Sequence, residues 1–169
     1  MNEHRIKMKE DYSPEESAVF GEGSPQKPHV LIAEDDDEFR RLLTSSFEEA
    51  GFAVSDCPDG TLLFTRTAGS VLDRMKPKVD LIVSDVRMPG YTGIEFLARL
   101  NDFQWRIPVI LITAFGDSET HEKALEMGAF AIMDKPFEID GLLHMARQVF
   151  AGTSFHRYFE KDLDKERKH

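Results

Sequence analysis

The chain has 169 residues, of which 41% are hydrophobic, and a formal net charge of −10. This length fits one domain with extensions, and the hydrophobic share is enough to build a core. No apolar run approaches the roughly 20 residues that cross a bilayer, and the N-terminus lacks the apolar stretch of a signal peptide, so we expect no membrane contact.

The negative charge is concentrated in the middle of the chain. Residues 29–152 hold 12 basic and 21 acidic residues, a net charge of −9, whereas residues 1–28 carry −2 and residues 153–169 carry +1. Such a surface repels nucleic acid, so we expect no direct nucleic-acid binding. Cys57 is the only cysteine, which excludes an intramolecular disulfide and fits a reducing, cytoplasmic location.

Residues 1–28 are rich in Pro, Gly, Ser and Glu and show no sustained hydrophobic period. Segments of this composition bury too little apolar surface to offset the entropy of ordering. We therefore predict a disordered N-terminal extension and a domain that begins at residue 29.

From His29 onward, short apolar runs alternate with amphipathic stretches, which predicts alternating strands and helices. Gly51 and Gly128 mark two helix ends, and Gly69-Ser70 is a candidate interruption of the second helix. In chain order the predicted elements are strand Val30–Ala33, helix Asp36–Ala50, strand Phe52–Ser55, helix Asp59–Met75, strand Val79–Ser84, helix Gly93–Leu100, strand Ile107–Ile112, helix Asp117–Met127, strand Phe130–Asp134 and helix Glu138–Phe150.

Five strand–helix units predict an α/β domain over residues 29–152, a doubly wound parallel sheet with helices on both faces. Residues 153–169 are highly charged but place Phe155, Tyr158 and Phe159 at helical spacing. Two interpretations of this segment remain open: a solvated tail and a short sixth helix.

Polar residues of different chemical kinds follow four of the predicted strands. Glu34 and Asp35 follow the first, Asp85 the third, Thr113 the fourth and Lys135 the fifth. Ligands of open parallel sheets bind beyond the carboxyl ends of the strands, at the point where the strand order reverses. These groups are therefore expected to meet at one site.

Carboxylates, a hydroxyl and an ammonium can hold a divalent cation and a phosphoryl group. Mg²⁺ prefers oxygen ligands, and crowded carboxylates repel one another unless a cation lies between them. Asp85 is the candidate nucleophile, since carboxylates form acyl-phosphates in some enzymes. Lys135 is a point charge for the phosphoryl oxygens or for Asp85, and Thr113 is a hydrogen-bond donor to a phosphoryl oxygen.

The segments "VLIAEDDDEFRRLL", "DLIVSDVRMPGYTGIEFL", "VILITAFGD" and "GAFAIMDKPF" resemble the receiver domain of two-component response regulators. The resemblance covers residues 28–150. It implies a five-stranded flavodoxin-like fold of strand order 2-1-3-4-5 with five helices. It also implies a Mg²⁺-dependent transfer of a phosphoryl group from a histidine kinase or a histidine phosphotransfer protein, with no enzymatic activity beyond self-phosphorylation and self-dephosphorylation.

The resemblance assigns roles to individual residues. Asp85 is the phosphoacceptor, and Glu34, Asp35 and Asp85 bind Mg²⁺ together with the backbone carbonyl of Arg87. Thr113 is the switch hydroxyl and Lys135 the site lysine, with a cis peptide bond before the next residue, Pro136. The output is a contact with an unidentified protein, and the surface of helix four, strand five and helix five is a candidate homodimer face.

Some features depart from the family pattern. Ile132 occupies a position, three before Lys135, where an aromatic residue often sits, so Phe130 or Phe115 is the candidate substitute. The segment from Gly60 to Asp80 is longer than in typical receivers, and with fewer than twenty residues after helix five we expect no output domain there. At the positions two after Asp85 and two after Thr113, Arg87 and Phe115 offer no group that could orient a hydrolytic water, which predicts a long-lived phosphorylated form.

Two other functions stay open. The chain is a receiver fragment of a larger DNA-binding transcription activator, whose receivers have similar motifs, or it is a Mg²⁺-dependent phosphatase with an aspartate nucleophile. Phosphatases of the haloacid-dehalogenase type have a second aspartate two residues after the nucleophile, where this chain has Arg87, so sustained turnover of external substrates is not expected.

Overall fold

The computed structural model describes residues 6–8, 27–73 and 78–151. In this part of the chain a six-stranded sheet is flanked by five helices. The strands are β1 (Ile6–Met8), β2 (His29–Ala33), β3 (Ala53–Cys57), β4 (Leu81–Asp85), β5 (Val109–Thr113) and β6 (Ala131–Asp134). The helices are α1 (Asp37–Glu49), α2 (Gly60–Leu72), α3 (Gly93–Asp102), α4 (Ser118–Glu126) and α5 (Ile139–Val149).

The sheet has the order β1-β6-β5-β4-β2-β3. The last five strands of the chain are parallel, and counted among themselves they follow the order 2-1-3-4-5. This confirms the predicted doubly wound, flavodoxin-like fold. Because β2 and β4 are neighbours, the order reverses between them, and the chain segments that leave these two strands lie side by side.

Two apolar layers cover the sheet, and the strand residues alternate between them because successive side chains point to opposite faces. Ile32 packs in the layer under α1 and α5 with Phe47 and Leu142. Leu31 packs in the layer under α2, α3 and α4 with Leu63. Burial on both faces explains why β2, β4 and β5 have continuous apolar sequences instead of alternating ones, whereas the edge strand β3 is mostly half-buried and contains Ser55 and Asp56.

Three helices begin one residue later than predicted because an aspartate caps them. Asp36, Asp59 and Asp117 have extended backbones, and each side chain accepts a hydrogen bond from the backbone N–H three residues on, as N-cap residues do. The second helix is not interrupted at Gly69-Ser70, because Ser70 lies within α2 and its Oγ accepts the N–H of Val79 at 2.7 Å. Its predicted end at Met75 lies outside the described residues.

The N-terminal extension contains a strand that the sequence analysis did not predict. β1 pairs antiparallel with β6, with Lys7 opposite Ile132, so the expectation of disorder is wrong for Ile6–Met8. The signal was present in the sequence "RIKMK", where basic and apolar residues alternate with the period of a strand. Residues 1–5 and 9–26 of the extension and the tail after residue 151 lie outside the described residues. No helix in the described ranges is both long and apolar enough to span a bilayer.

Candidate functional site

The polar residues that were expected to meet do lie at the carboxyl ends of the parallel strands. Two of them, Asp85 and Thr113, are themselves paired within the sheet. Asp85 and Thr113 are the last residues of β4 and β5, so both strands begin two residues later and end one residue later than predicted. Asp85 is paired with Ile112, and Thr113 with Asp134. Since their backbones belong to the ladder, the sheet itself fixes where these two side chains begin.

The three predicted metal-binding carboxylates are close together. One ligand oxygen from each of Glu34, Asp35 and Asp85 lies within 4.8 Å of the others. Glu34 and Asp85 are buried, whereas Asp35 is exposed. One carboxylate of this group therefore faces solvent, and the other two are held in the protein.

Lys135 connects the two buried carboxylates. Its Nζ donates to Glu34 Oε2 at 2.8 Å and to Asp85 Oδ2 at 2.9 Å, and it lies 4.7 Å from the centroid of the Phe39 ring. The expected cis peptide bond joins Lys135 to Pro136. The ammonium thus reaches Asp85 directly, as the sequence analysis expected.

The second oxygen of each buried carboxylate also has a partner. Glu34 Oε1 accepts the N–H of Asp36 at 3.1 Å, and Asp85 Oδ1 accepts the N–H of Arg87 at 3.0 Å. Arg40 braces the same acidic loop, since its guanidinium donates to the Glu34 carbonyl at 2.7 Å. Two carboxylates are therefore preorganised before any ligand arrives.

Burial and the contacts with Lys135 shift the pKa values of the site in opposite directions. Burial raises the pKa of Glu34, and the hydrogen bond from Lys135 offsets this only in part. Burial alone would lower the pKa of Lys135, but its hydrogen bonds to Glu34 and Asp85 outweigh burial and raise it. Three carboxylates and this ammonium leave an excess of negative charge, so the all-oxygen donor set fits a hard divalent cation such as Mg²⁺.

The turn after Asp85 is locked onto the start of α2 through backbone contacts. Gly60 N–H donates to the Pro89 carbonyl at 2.9 Å, and a Cβ at Gly60 would lie 1.8 Å from the Tyr91 carbonyl oxygen. Gly90 has a positive φ of 78°, which only glycine adopts readily. This docking holds the backbone of the residues that follow Asp85, including Arg87.

Arg87 and Phe115, the two residues expected to slow hydrolysis, contact each other. The Arg87 guanidinium carbon lies 4.6 Å from the centroid of the Phe115 ring, a cation–π arrangement. Phe115 is 66% exposed, and its backbone N–H donates to Thr113 Oγ1 at 3.2 Å. The pair belongs to the loops that follow Asp85 and Thr113.

Ile132 and its two candidate aromatic substitutes, Phe130 and Phe115, lie in different parts of the structure. Ile132 is buried in the layer under α2, α3 and α4, where it fills the core. Phe130 is buried in the opposite layer, under α1 and α5. Of the two candidate substitutes, Phe115 is therefore the aromatic side chain on the surface beside Thr113.

Sequence reasoning missed a buried pair next to the site. His121 of α4 is fully buried, and its Nε2 lies 2.7 Å from Asp134 Oδ1, whose side chain is 26% exposed. A Cβ on Gly116 would lie 2.0 Å from Asp134 Oδ1 and 2.4 Å from His121 Nε2. The β5–α4 loop can therefore close over this pair only because residue 116 is glycine.

We expect Gly116→Ala to lower the free energy of unfolding by about 1–3 kcal/mol, the usual cost of overpacking. The added methyl group would push His121 and Asp134 apart. Gly141→Ala is the matched control, because a Cβ there comes no closer than 3.9 Å to the nearest atom and alanine favours the helix. Urea denaturation of both variants tests this, and equal stability of Gly116→Ala and the wild type would contradict the packing argument.

Comparison with known sequences identifies the family. The profile of the response regulator receiver domain matches residues 30–147. Regulatory protein AtoC of Escherichia coli K12 is 37% identical over 113 residues, which cover 67% of this chain and 23% of AtoC. Transcriptional regulatory protein FixJ of Bradyrhizobium diazoefficiens is 34% identical over 119 residues, which cover 70% of this chain and 55% of FixJ. The chain thus spans less than two thirds of the length of these relatives.

Comparison with solved structures identifies the same family. The receiver domain of the Francisella response regulator 1452 has a TM-score of 0.63 and 28% identity, over 73% of this chain and 97% of that one. A chain in the CheX–CheY–BeF₃–Mg²⁺ complex from Borrelia burgdorferi has a TM-score of 0.66 and 27% identity, over 73% of this chain and 89% of that one. The chain therefore belongs to the response regulator receiver domain family of two-component signal transduction.

Proposed function

We propose that this receiver accepts a phosphoryl group on Asp85 from a histidine kinase or a histidine phosphotransfer protein. The observation that carries the proposal is the contact of the Asp85 carboxylate with Lys135 Nζ at 2.9 Å, inside the group formed with Glu34 and Asp35. A nucleophilic carboxylate next to an ammonium and two further carboxylates suits phosphoryl transfer, where positioning and charge stabilisation provide most of the catalysis.

The transfer conserves atoms and charge. One Asp85 oxygen forms a bond to phosphorus as the bond between phosphorus and the donor histidine nitrogen breaks, and that nitrogen takes up a proton from solvent, which gives an aspartyl phosphate and a neutral imidazole. Lys135 Nζ stays within reach of the Asp85 carboxylate and pairs with the phosphoryl oxygens. Thr113 Oγ1 accepts the N–H of Phe115, so its own hydroxyl proton is available for a phosphoryl oxygen.

The same residues fit a Mg²⁺ ion. Glu34, Asp35 and Asp85 would bind it together with the backbone carbonyl of Arg87, and the exposed Asp35 has room to turn toward it. When bound, Mg²⁺ neutralises the charge that builds up on the transferred group. The Borrelia burgdorferi complex that this chain resembles contains both BeF₃ and Mg²⁺, which supports the proposal.

We infer that the output is a protein–protein contact on the surface of α4, β6 and α5. Thr113 ends β5, and its ladder partner Asp134 ends β6, so a movement of the hydroxyl toward the phosphoryl group reaches this surface through adjacent strands. Such a switch is a local change of charge that shifts the population of two states.

A second function is supported by the relatives. FixJ is a transcriptional regulatory protein and NtrC of Escherichia coli is a DNA-binding transcriptional regulator, and this chain covers 55% and 25% of their lengths. The chain would then be the receiver portion of a longer DNA-binding activator. The reading frame of the gene on both sides of the sequence distinguishes this case from a receiver that acts alone.

The test of the proposed function is covalent labelling by a small phosphodonor such as acetyl phosphate. We expect stoichiometric labelling with Mg²⁺ and almost none with a chelator. Melting gives an independent measure: at ten times the Kd, Mg²⁺ should add about 1.4 kcal/mol to the stability, and Asp35→Ala should remove this gain. Labelling that is equally efficient in the chelator, or the same Mg²⁺ gain in Asp35→Ala, would contradict the metal assignment.

A further inference from the structure

One of the two edges of the parallel sheet, the one formed by β6, is covered by the chain itself. β6 is the last of the five parallel strands, and β1 pairs along its outer edge, with Ile6 opposite Met133 and Met8 opposite Ala131. Uncovered edge strands present unpaired N–H and C=O groups that pair readily with another chain. The backbone of Ile6–Met8 satisfies such groups on β6.

This edge lies in the middle of the proposed output surface. Ile132 of β6 packs in the layer under α4, whereas Ala131 and Met133 pack in the layer under α5. The outer edge of β6 therefore runs between the two helices. A partner that contacts α4, the outer edge of β6 and α5 together therefore also contacts β1 or displaces it.

The covering strand is well suited to be displaced. β1 has three residues and is joined to β2 by residues 9–28, so its pairing with β6 closes a long connection and costs entropy that is regained when β1 is released. A strand this short is bound by few hydrogen bonds and opens at a small fraction of the global stability. We therefore expect its pairing with β6 to open without unfolding of the domain.

The chemistry of the edge points to a second copy of the chain as the competing partner. β1 shows that β6 accepts an antiparallel strand, and antiparallel pairing of β6 with another β6 is self-complementary, as a twofold interface requires. The two copies would extend one sheet across the interface, with α4 and α5 of each copy on either side. The same edge cannot hold β1 and a second β6 at once.

We propose that β1 is a built-in cover that keeps two copies of this chain from associating through their β6 edges. Release of β1 exposes the edge and allows the homodimer. The inference rests on the proposed function only in taking this surface as the signalling output, because the competition between β1 and a second copy requires neither Asp85 nor a phosphoryl group.

The test breaks β1 without changing the domain. The double variant carries Lys7→Pro and Met8→Pro. Successive N–H groups point to opposite sides of a strand, so one of these two residues donates its N–H toward β6, and proline removes that donor in either case. The matched control places the same prolines at Ser17 and Ala18, outside the described residues. Sedimentation velocity is measured over a range of concentrations, without phosphodonor or Mg²⁺, so that the outcome is independent of phosphorylation.

We expect the strand-broken variant to dimerise at several-fold lower concentration than the wild type and the control. Hydrogen exchange at the backbone of Ala131–Asp134 should be faster in this variant when it is dilute and slow again as it dimerises. Equal association of the three proteins would overturn the proposal, and so would a dimer that leaves β6 unprotected. If the double variant does not fold, deletion of residues 1–8 must give the same result.

Discussion

Replacement of Asp85 by asparagine will abolish covalent labelling by a small phosphodonor. The amide is neutral and a poor nucleophile, and it no longer offers Lys135 the carboxylate oxygen now 2.9 Å away. The matched control is Asp134→Asn. Asp134 is the last residue of β6 and so also lies at the carboxyl ends of the strands. Its side chain contacts His121 and not Lys135 Nζ or Asp85 in the contacts described above, so this variant should keep its labelling.

Labelling is followed as incorporated phosphate in the intact protein, together with a melting curve that shows both variants are folded. Persistent stoichiometric labelling of Asp85→Asn would show that another group accepts the phosphoryl group. Complete loss of labelling in a folded Asp134→Asn variant would show that the role is not specific to Asp85.

Loss of the phosphoryl group from Asp85 will be slow in the wild type and several-fold faster in Arg87→Asn and in Phe115→Glu. The Arg87 guanidinium lies over the exposed Phe115 ring, where the pair can limit the approach of water to the phosphoryl group. Asparagine and glutamate remove the pair and add a group that can orient a hydrolytic water. The half-life of the phosphorylated protein, measured after removal of the donor, tests the prediction.

Phe115→Leu separates the two effects. Leucine keeps an apolar side chain but offers no hydrogen bond to water, so a half-life close to that of the wild type is expected if exclusion of water determines the rate. If neither Arg87→Asn nor Phe115→Glu shortens the half-life, the Arg87–Phe115 pair does not shield the site.

The parallel part of the fold and the composition of the site could be predicted because each is encoded locally. A run such as "DLIVSD" contains both the apolar pattern of a buried strand and the carboxylate that ends it, so the site follows from the rule that parallel strands point the same ends to one edge. The resemblance of these motifs to receivers added the strand order and the cis peptide bond at Lys135, both of which the structure contains.

The features that escaped prediction depend on contacts between distant residues. The alternation around Lys7 covers too few residues to stand out in a polar, Gly- and Pro-rich segment, and its partner Ile132 lies far along the chain. His121 lies in a helix otherwise rich in charged residues, and only the folded chain shows it buried against Asp134. Nothing in the sequence indicated that Gly116 lies over that pair.

The most direct test of the central claim locates the phosphoryl group in the wild-type chain. After Mg²⁺-dependent labelling, borohydride reduces an aspartyl phosphate to homoserine, and mass spectrometry of the peptides identifies the changed position. If Asp85 is the phosphoacceptor, we expect one modified residue, at position 85, and none when the phosphodonor is omitted. Homoserine at another aspartate, or a phosphate carried on a histidine or a hydroxyl side chain instead, would contradict it.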